Sequence, residues 1–182
     1  INRKIQSHIK RFFDLFTSSF LLFLSLPILL TCAILIFLED KGPIFYSQLR
    51  TGLKGKVFRI YKLRTMKLNA ESSGPKWATK KDKRITKVGN ILRKSRIDEI
   101  PQLWNVIKND MSLIGPRPER PEIENNLIND IPEFRLRHNV IPGLSGWAQV
   151  NYFYASTLSE TEMKLSFDLF YIKNYSLLLD LI

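Results

Sequence analysis

Two adjacent carboxylates, Asp98 and Glu99, stand in a stretch of the chain that is otherwise rich in cations. Arg93 and Arg96 precede them, and Arg117 follows them between two prolines. A carboxylate can act as a covalent nucleophile, and its attack on phosphorus gives an acyl phosphate. Such an attack on an anionic diphosphate requires arginines or Mg²⁺ to neutralise the charge. These residue types predict a site in which the carboxylates do the chemistry and the arginines bind phosphate.

Asp98 also has a purely structural interpretation as the N-cap of a helix. The apolar residues that follow it have the i, i+3, i+4, i+7 spacing of a buried helical face. They are Ile100, Leu103, Trp104 and Ile107. Pro101 is tolerated only in a first turn, which places the helix start near Asp98. A cap there would be worth about 1 kcal/mol. The spacing alone favours the cap, whereas the neighbouring arginines favour a chemical role.

The backbone around Arg117 is restricted by Pro116 and Pro118 to extended or polyproline geometry. Such a rigid mount suits a guanidinium that binds a planar or phosphate oxyanion. Mg²⁺ prefers carboxylate and phosphate oxygens and retains several waters, so Asp98, Glu99 and a bound substrate would be sufficient to hold it. The histidines are too few and too far apart in sequence to indicate a histidine-based metal site.

A second group of cations lies on a predicted strand between Val57 and Met66. Alternation places four side chains on one side of this strand, namely Phe58, Ile60, Lys62 and Arg64. Two cations beside two apolar groups are consistent with a basic site next to the core. An edge strand protected by Lys and Arg fits the same pattern equally well.

An uncharged apolar run extends from Leu15 to Leu38, about the length that crosses a bilayer as a helix. Both flanks are basic, and positive charge marks the cytoplasmic side of a membrane. The flanking cations are Arg3, Lys4, Lys10 and Arg11 before the run and Lys41, Arg50, Lys54, Lys56 and Arg59 after it. Pro27 interrupts the run, and Ser25 is placed to cap a freed backbone group. We predict a re-entrant helix-break-helix anchor; a kinked spanning helix is the alternative.

The overall composition indicates a basic protein with anionic partners. The 182 residues carry a formal net charge of +11 and a single cysteine, Cys32, so an internal disulfide framework is excluded. The composition changes after Asp40. We therefore predict a membrane-anchoring segment over residues 1–40 and a cytosolic-facing catalytic domain over residues 41–182. The apolar pattern at the C-terminus predicts a final element that is cut short.

The remaining segments predict an α+β fold that is mostly helical with a small β section. Glycine-punctuated residues 41–67 are typical of strands, Asn69 to Lys83 of a loop, and residues 86–96 of a helix. Val88, Ile91 and Leu92 have the spacing of one helical face, and turns are expected at Pro142-Gly143 and Gly146. Aromatic residues in the C-terminal helix, Phe167, Phe170, Tyr171 and Tyr175, fit either an interfacial amphipathic helix or a packed core helix.

Together these motifs resemble the bacterial sugar transferase family, the monotopic phosphoglycosyl transferases. The resemblance covers nearly the whole chain and rests on "KRFFDLF", "GPIFYSQLRTGLKGKVFRIYKLRTMK", "TKVGNILRKSRIDEIPQLWNVIKNDMSLIGPRPERPE", "RHNVIPGLSGWAQVNY" and "FDLFYIKNYSLLLDL". The longer signatures are most similar to undecaprenyl-phosphate hexose-1-phosphate transferases of exopolysaccharide and O-antigen assembly. Many members have adjacent Ser-Pro in the anchor, whereas this chain has Ser25-Leu26-Pro27.

The resemblance implies a reaction, a cofactor and a location. A sugar-1-phosphate would pass from a UDP-sugar to polyprenyl phosphate at the cytoplasmic face of the bacterial inner membrane, with release of UMP. Asp98 would form a phosphosugar intermediate, Glu99 would assist with Mg²⁺ or with protons, and Arg117 would bind phosphate. The further basic candidates are Lys62, Arg64, Arg93 and Arg96. The resemblance implies membrane phospholipid as a partner and does not imply nucleic acid. It leaves open whether the protein forms a homo-oligomer.

Two non-enzymatic alternatives also fit part of the pattern. A membrane-tethered binder of nucleic acid or anionic lipid would explain the positive charge and the apolar run. A scaffold that assembles glycan enzymes would use the aromatic C-terminal face. Neither alternative explains why Asp98 and Glu99 lie among the basic residues.

Overall fold

A computed structural model describes residues 3–70, 82–152 and 157–181 of the chain. The α-helices are α1 (Arg3–Asp40), α2 (Lys87–Ser95), α3 (Leu103–Ile107), α4 (Pro121–Asp130), α5 (Trp147–Asn151), α6 (Leu158–Asn174) and α7 (Leu177–Leu181). The strands are β1 (Phe45–Thr51), β2 (Val57–Leu63), β3 (Ser112–Ile114) and β4 (Gly143–Ser145). Short 3-10 helices occupy Leu53–Gly55, Ile97–Gln102 and Pro132–Asn139. The fold is therefore mostly helical with little sheet, as predicted. The central part of the predicted loop, residues 71–81, lies outside the described residues.

Helix α1 is the one helix in the described part of the chain that is long and apolar enough to cross a membrane. Most of its large apolar side chains are exposed, as expected for a helix that meets lipid. A narrow stripe faces the rest of the protein instead. Its buried members are Asp14, Ser18, Ser25, Cys32 and Ile36, which follow one another at intervals of four or seven residues and so share one helical face. One face of α1 thus packs on the globular part along much of the helix.

The predicted break at Ser25 and Pro27 needs a correction, because the helix continues through both residues. A proline removes one backbone donor, and the adjacent turns of this helix keep their helical structure. The Ser25 hydroxyl donates to the carbonyl of Leu22 at 2.9 Å, and the Thr31 hydroxyl donates to the carbonyl of Pro27 at 2.9 Å. Both hydroxyls therefore bond to carbonyls of the preceding turn and do not cap a gap.

Strands β1 and β2 form an antiparallel hairpin, which confirms the predicted β section. The two-residue alternation on β2 is also present: Ile60 is buried, and Phe58 packs against the core around Val106 and Met111. The hairpin turn contains Lys54 and Gly55, which have positive φ angles of 56° and 73°. Asn105 ties this hairpin to α3, since its side chain accepts from the Tyr61 amide at 3.2 Å and donates to the Arg59 carbonyl at 2.8 Å.

The second sheet pairs β3 with β4 in parallel, so the predicted turn at Pro142-Gly143 is wrong: Gly143 begins a strand. The reason is the close approach of two backbones. A Cβ atom at Gly143 would lie 2.1 Å from the backbone nitrogen of Gly115, so this glycine is required for packing and not for a turn.

Two predicted apolar faces are narrower than their spacing indicated. Ile91 of α2 is 66% exposed, whereas Leu92 is buried. Trp104 is 50% exposed, whereas Val106 is fully buried. The segment before α3 is a 3-10 helix with about three residues per turn, so a 3.6-residue phase counted from Ile100 is not maintained into α3.

The C-terminal part forms a separate core cluster of Ile131, Phe134 and Leu165. Helix α6 begins with a capping box between Thr157 and Glu160. The aromatic residues of this helix lie in different environments, and the interpretation as a packed core helix holds for Tyr171. Tyr171 is buried, and its hydroxyl lies 3.1 Å from the Ile114 carbonyl, whereas Phe170 is about half exposed beside Trp147.

Candidate active site

The two carboxylates lie on the 3-10 helix Ile97–Gln102, directly after α2. Arg96 separates the two helices and adopts a left-handed conformation with a φ of 60°. Arg96, not Asp98, occupies the N-cap position, and no side chain caps this helix. The structural interpretation of Asp98 as a helix cap is therefore wrong, because the helix begins at Ile97 and Asp98 lies within its first turn.

Asp98 is buried but is not fully paired. Its side chain is only 6% exposed, and its Oδ1 atom has no hydrogen-bond partner. Burial raises the pKa of Asp98 above its ordinary value, because an ionised carboxylate is poorly solvated inside the protein. The positive charge of Lys62 opposes this rise, and the negative charge of Glu99 adds to it. An oxygen with high basicity and no partner is what a nucleophilic carboxylate requires.

Glu99 is the centre of a group of ion pairs that joins three segments of the chain. Its Oε1 atom accepts from Lys62 Nζ of β2 at 2.7 Å and from Arg117 Nη2. Arg96 Nη1 lies 4.0 Å from the same oxygen. We call Lys62, Glu99 and Arg117 the cationic cluster. The structure thus brings together two carboxylates and two of the predicted phosphate-binding residues.

The charges of the cationic cluster shift the titration of its members in opposite directions. Burial raises the pKa of Glu99, but Lys62 and Arg117 outweigh this effect and bring the pKa to about 2. Burial lowers the pKa of Lys62, and the charge of Glu99 counteracts much of that effect. Glu99 therefore opposes the loss of the Lys62 proton that burial favours, although the pKa of Lys62 stays lowered.

The other predicted basic residues divide between the site and the fold. Arg93 donates through Nε to the Thr65 hydroxyl at 2.8 Å, and its charge lowers the pKa of Asp98, so it lies near the carboxylates. The Arg96 side chain is 71% exposed at the rim. Arg64 needs a correction: its guanidinium donates to the Asp40 carboxylate and the Pro43 carbonyl. Arg64 directly follows β2, and Asp40 is the last residue of α1. Their ion pair therefore attaches the end of α1 to the hairpin.

The segment that carries Arg117 is held by donors from other elements. Four successive carbonyls, those of residues 116 to 119, each accept one hydrogen bond. The donors are Gly143 N (2.9 Å), Arg137 Nη2 (2.5 Å), Arg50 Nη1 (3.3 Å) and Thr51 N (3.0 Å), in that order. The Arg117 side chain also donates through Nη1 to the Leu144 carbonyl at 3.0 Å. The prolines restrict this segment locally, and these bonds fix its position.

Sequence reasoning missed three residues that organise the site, namely Asn105, Arg137 and Asp168. Arg137 donates through Nε to Asp168 at 2.9 Å, and both side chains are only 4% exposed. Arg137 and Asp168 lie in motifs that carried the family resemblance, but no spacing pattern links them. A buried charge requires a partner, but only the structure shows that Arg137 and Asp168 are buried.

The fit of Mg²⁺ to these residues rests on Asp98. Its carboxylate is not fully paired, and Mg²⁺ commonly takes one or two carboxylates together with substrate phosphates. The Oε1 atom of Glu99 is already bound by two cations. Within residues 3–70, 82–152 and 157–181, no group of three or more His, Cys, Asp or Glu residues is placed to hold a metal. Substrate oxygens would therefore supply the other non-water ligands.

Comparison with known proteins gives the class of this chain. The sequence profile of the bacterial sugar transferase family matches residues 5–182. The chain therefore belongs to the bacterial sugar transferase family.

Three relatives illustrate the range of similarity. The chain is 46% identical to the UDP-N-acetylgalactosamine-undecaprenyl-phosphate N-acetylgalactosaminephosphotransferase of Aeromonas hydrophila, an alignment that covers 98% of this chain and 42% of that protein. It is 39% identical to the UDP-glucose:undecaprenyl-phosphate glucose-1-phosphate transferase of Klebsiella pneumoniae over 94% of this chain and 37% of that protein. An uncharacterized sugar transferase of Bacillus subtilis is 40% identical, with 95% of this chain and 82% of that protein covered. The chain thus spans about two fifths of the length of the first two relatives.

Proposed function

We propose that this chain transfers a sugar-1-phosphate from a UDP-sugar to polyprenyl phosphate and releases UMP. The names of the Aeromonas and Klebsiella relatives support the donor and the acceptor. The observation that carries the proposal is the buried Oδ1 of Asp98, which has no partner although it lies beside the cationic cluster. A carboxylate with this environment is prepared to attack an electrophile that brings its own negative charge.

The reaction proceeds in two displacements at one phosphorus atom. In the first, Asp98 Oδ1 forms a bond to the phosphorus that carries the sugar, and the bond from this phosphorus to the bridging oxygen breaks. UMP leaves with the electron pair. In the second, an oxygen of polyprenyl phosphate attacks the same phosphorus and displaces Asp98, which returns to the carboxylate. The product is a polyprenyl diphosphate sugar, and no net proton is required at Asp98.

The cationic cluster binds the charge that moves during these steps. Arg117 and Lys62 are the residues best placed to bind diphosphate oxygens, because they already bind an anionic oxygen of Glu99. Glu99 positions both cations, and its charge opposes the lowering of the Lys62 pKa by burial. When bound, Mg²⁺ would neutralise diphosphate charge, and the acidic pair Asp98 and Glu99 would supply its carboxylate oxygens while Asp98 Oδ1 is kept for the attack on phosphorus. Arg93 and Arg96 add positive potential around the entrance.

The contacts of α1 support a re-entrant anchor over residues 1–40, in which Pro27 bends a helix that stays continuous, and a catalytic domain over residues 41–182. Near its beginning, Arg11 donates to the Val106 carbonyl at 2.7 Å, and near its end, Asp40 binds Arg64. Both ends of α1 are therefore bonded to one globular part. A helix that crosses the membrane places its ends on opposite sides, so these contacts favour entry and exit on one side. The basic flanks make that side the cytoplasmic face of the bacterial membrane.

The experiment that tests the reaction is UMP release from UDP-sugars with undecaprenyl phosphate and Mg²⁺. We expect release by the wild type and none by Asp98→Asn, together with a phosphosugar adduct on Asp98 when turnover is stopped midway. Equal release by both proteins would refute the assignment of Asp98. For the anchor, a cysteine at Ser7 should be labelled from the cytoplasmic side only. Periplasmic labelling would refute the re-entrant path.

A further inference from the structure

The carbonyl of Arg117 depends on a donor from a distant part of the chain. Pro116 and Pro118 have no N–H group, so this short segment cannot form an ordinary ladder of backbone hydrogen bonds. A buried carbonyl without a donor would be costly. Arg137 supplies the donor through Nη2 at 2.5 Å.

Arg137 is itself held from three directions. Its Nε donates to Asp168 Oδ2 of α6 at 2.9 Å, its guanidinium carbon lies 4.5 Å from the centre of the Phe134 ring, and its Nη2 binds the Arg117 carbonyl. A planar guanidinium is well suited to this task because its donors point in fixed directions. One side chain thus connects α6 with the backbone of a residue in the cationic cluster.

We infer that Arg137, oriented by Asp168, is a positioning residue that sets the place of the Arg117 guanidinium for phosphate binding. Arg137 reaches the cationic cluster through the Arg117 carbonyl, and among the described residues no hydrogen bond or ion pair joins Arg137 or Asp168 to a side chain of the cluster, so the effect passes through the Arg117 backbone. This inference rests on the proposed function, since its readout is turnover. Displacement of a binding group by about 1 Å can reduce a rate by about 10²-fold.

The test must separate positioning from folding. Arg137→Ala would leave the Asp168 carboxylate buried without its cation, which is strongly destabilising. The better variant is Arg137→Met combined with Asp168→Leu, because it removes both charges together. The matched control is Arg135→Ala, which changes an exposed arginine on the same 3-10 helix. Thermal unfolding of each detergent-solubilised protein gives the folding readout.

We expect Arg137→Met/Asp168→Leu to fold and to lower kcat for UMP release by roughly 10- to 100-fold. Arg135→Ala should retain wild-type kcat. Arg137→Lys, which keeps the charge but loses the planar fork, should recover only part of the rate. An unchanged kcat in the folded double variant would overturn the inference.

The decisive measurement is the same substitution in an Arg117→Lys background. If Arg137 acts through Arg117, the second change should lower kcat by less than threefold there, because the side chain that it positions is already altered. A loss equal to that in the wild-type background would overturn the inference in favour of a general structural role. A wild-type protein that releases no UMP would instead refute the proposed function, so the two failures are distinguishable.

Discussion

Lys62 and Glu99 form an ion pair in which Nζ and Oε1 are 2.7 Å apart, although 37 residues separate them in sequence. Both side chains are mostly buried. The pair fixes strand β2 against the 3-10 helix that carries both carboxylates. It also explains how a basic strand and an acidic dipeptide, separate in sequence, become one site.

Substitution of Glu99 by Gln tests the electrostatic role of this pair. We expect kcat/KM for UMP release to fall on the order of 10²-fold, because Lys62 and Arg117 lose the group that positions them. Loss of the negative charge also lowers the pKa of Lys62 further, so the alkaline limb of the pH–rate profile should move to lower pH. Glu122→Gln, at an exposed position on α4, is the control and should match the wild type. An alkaline limb that stays in place would show that Lys62 does not titrate with activity.

The pH dependence on the acid side should report Asp98 and not Glu99. The pKa of Asp98 is raised above 3.8 by burial, and the nucleophile must be ionised, so UMP release should fall as the pH drops through this raised pKa. Glu99, with a pKa of about 2, stays ionised over that range. The measurement is kcat/KM against pH. An acidic limb at or below 3.8 would contradict a nucleophile in this environment.

Folding stability at acid pH should report Glu99 and not Asp98. Its pKa falls from 4.5 to about 2 on folding, so the folded state is stabilised above pH 4.5. This stabilisation should be lost progressively as the pH falls from about 4.5 towards 2. We expect the melting temperature of the wild type to decline over that range more steeply than that of Glu99→Gln. Parallel declines would mean that the Glu99 ion pairs do not contribute to stability.

Asp14 tests whether the first half of α1 docks on the globular part. Its carboxylate accepts from the Ser112 hydroxyl at 2.7 Å and from the Leu113 amide at 3.3 Å. Asp14→Ala removes both acceptors, so we expect a loss of about 1–3 kcal/mol in stability with membrane association unchanged. The assays are thermal unfolding in detergent and membrane fractionation. Ser19→Ala, on an exposed face of the same helix, should have no effect. Wild-type stability of Asp14→Ala would mean that this contact is dispensable.

Gly143 tests the close approach of β4 to the chain before Arg117. An alanine Cβ would lie 2.1 Å from Gly115 N and 2.3 Å from Ser145 O, and both are backbone atoms that cannot rotate away. We expect Gly143→Ala to lower stability by about 1–3 kcal/mol and to reduce kcat, because the Pro116 carbonyl is bonded to the Gly143 amide. Thermal unfolding and UMP release are the measurements. Val150→Ala, at an exposed position on α5, is the control. Retention of full stability and activity would show that the two backbones can separate freely.

Features that depend on nearby residues were predicted from the sequence, and features that depend on contacts between distant residues were not. Helix α1 and the β1–β2 hairpin were predictable because hydrophobic composition and alternation are local properties. The exposure of Trp104 was not predictable, because a 3-10 helix precedes α3. This helix has fewer residues per turn, so later side chains point in directions that a 3.6-residue repeat does not give. The strand at Gly143 was also not predictable. The glycine is required there because the backbone of Gly115, a residue distant in sequence, leaves no room for a Cβ atom.

The sequence by itself determined which groups are available: an apolar anchor helix, an acidic pair, and an arginine restricted by two prolines. These depend on composition and on covalent restriction of the backbone. The tertiary structure alone decided their partners. It paired Glu99 with Lys62 and Arg117, directed Arg64 to Asp40, and left one oxygen of Asp98 unpaired. Such pairing depends on how distant segments pack, because electrostatic and hydrogen-bond energies are set by distances in space.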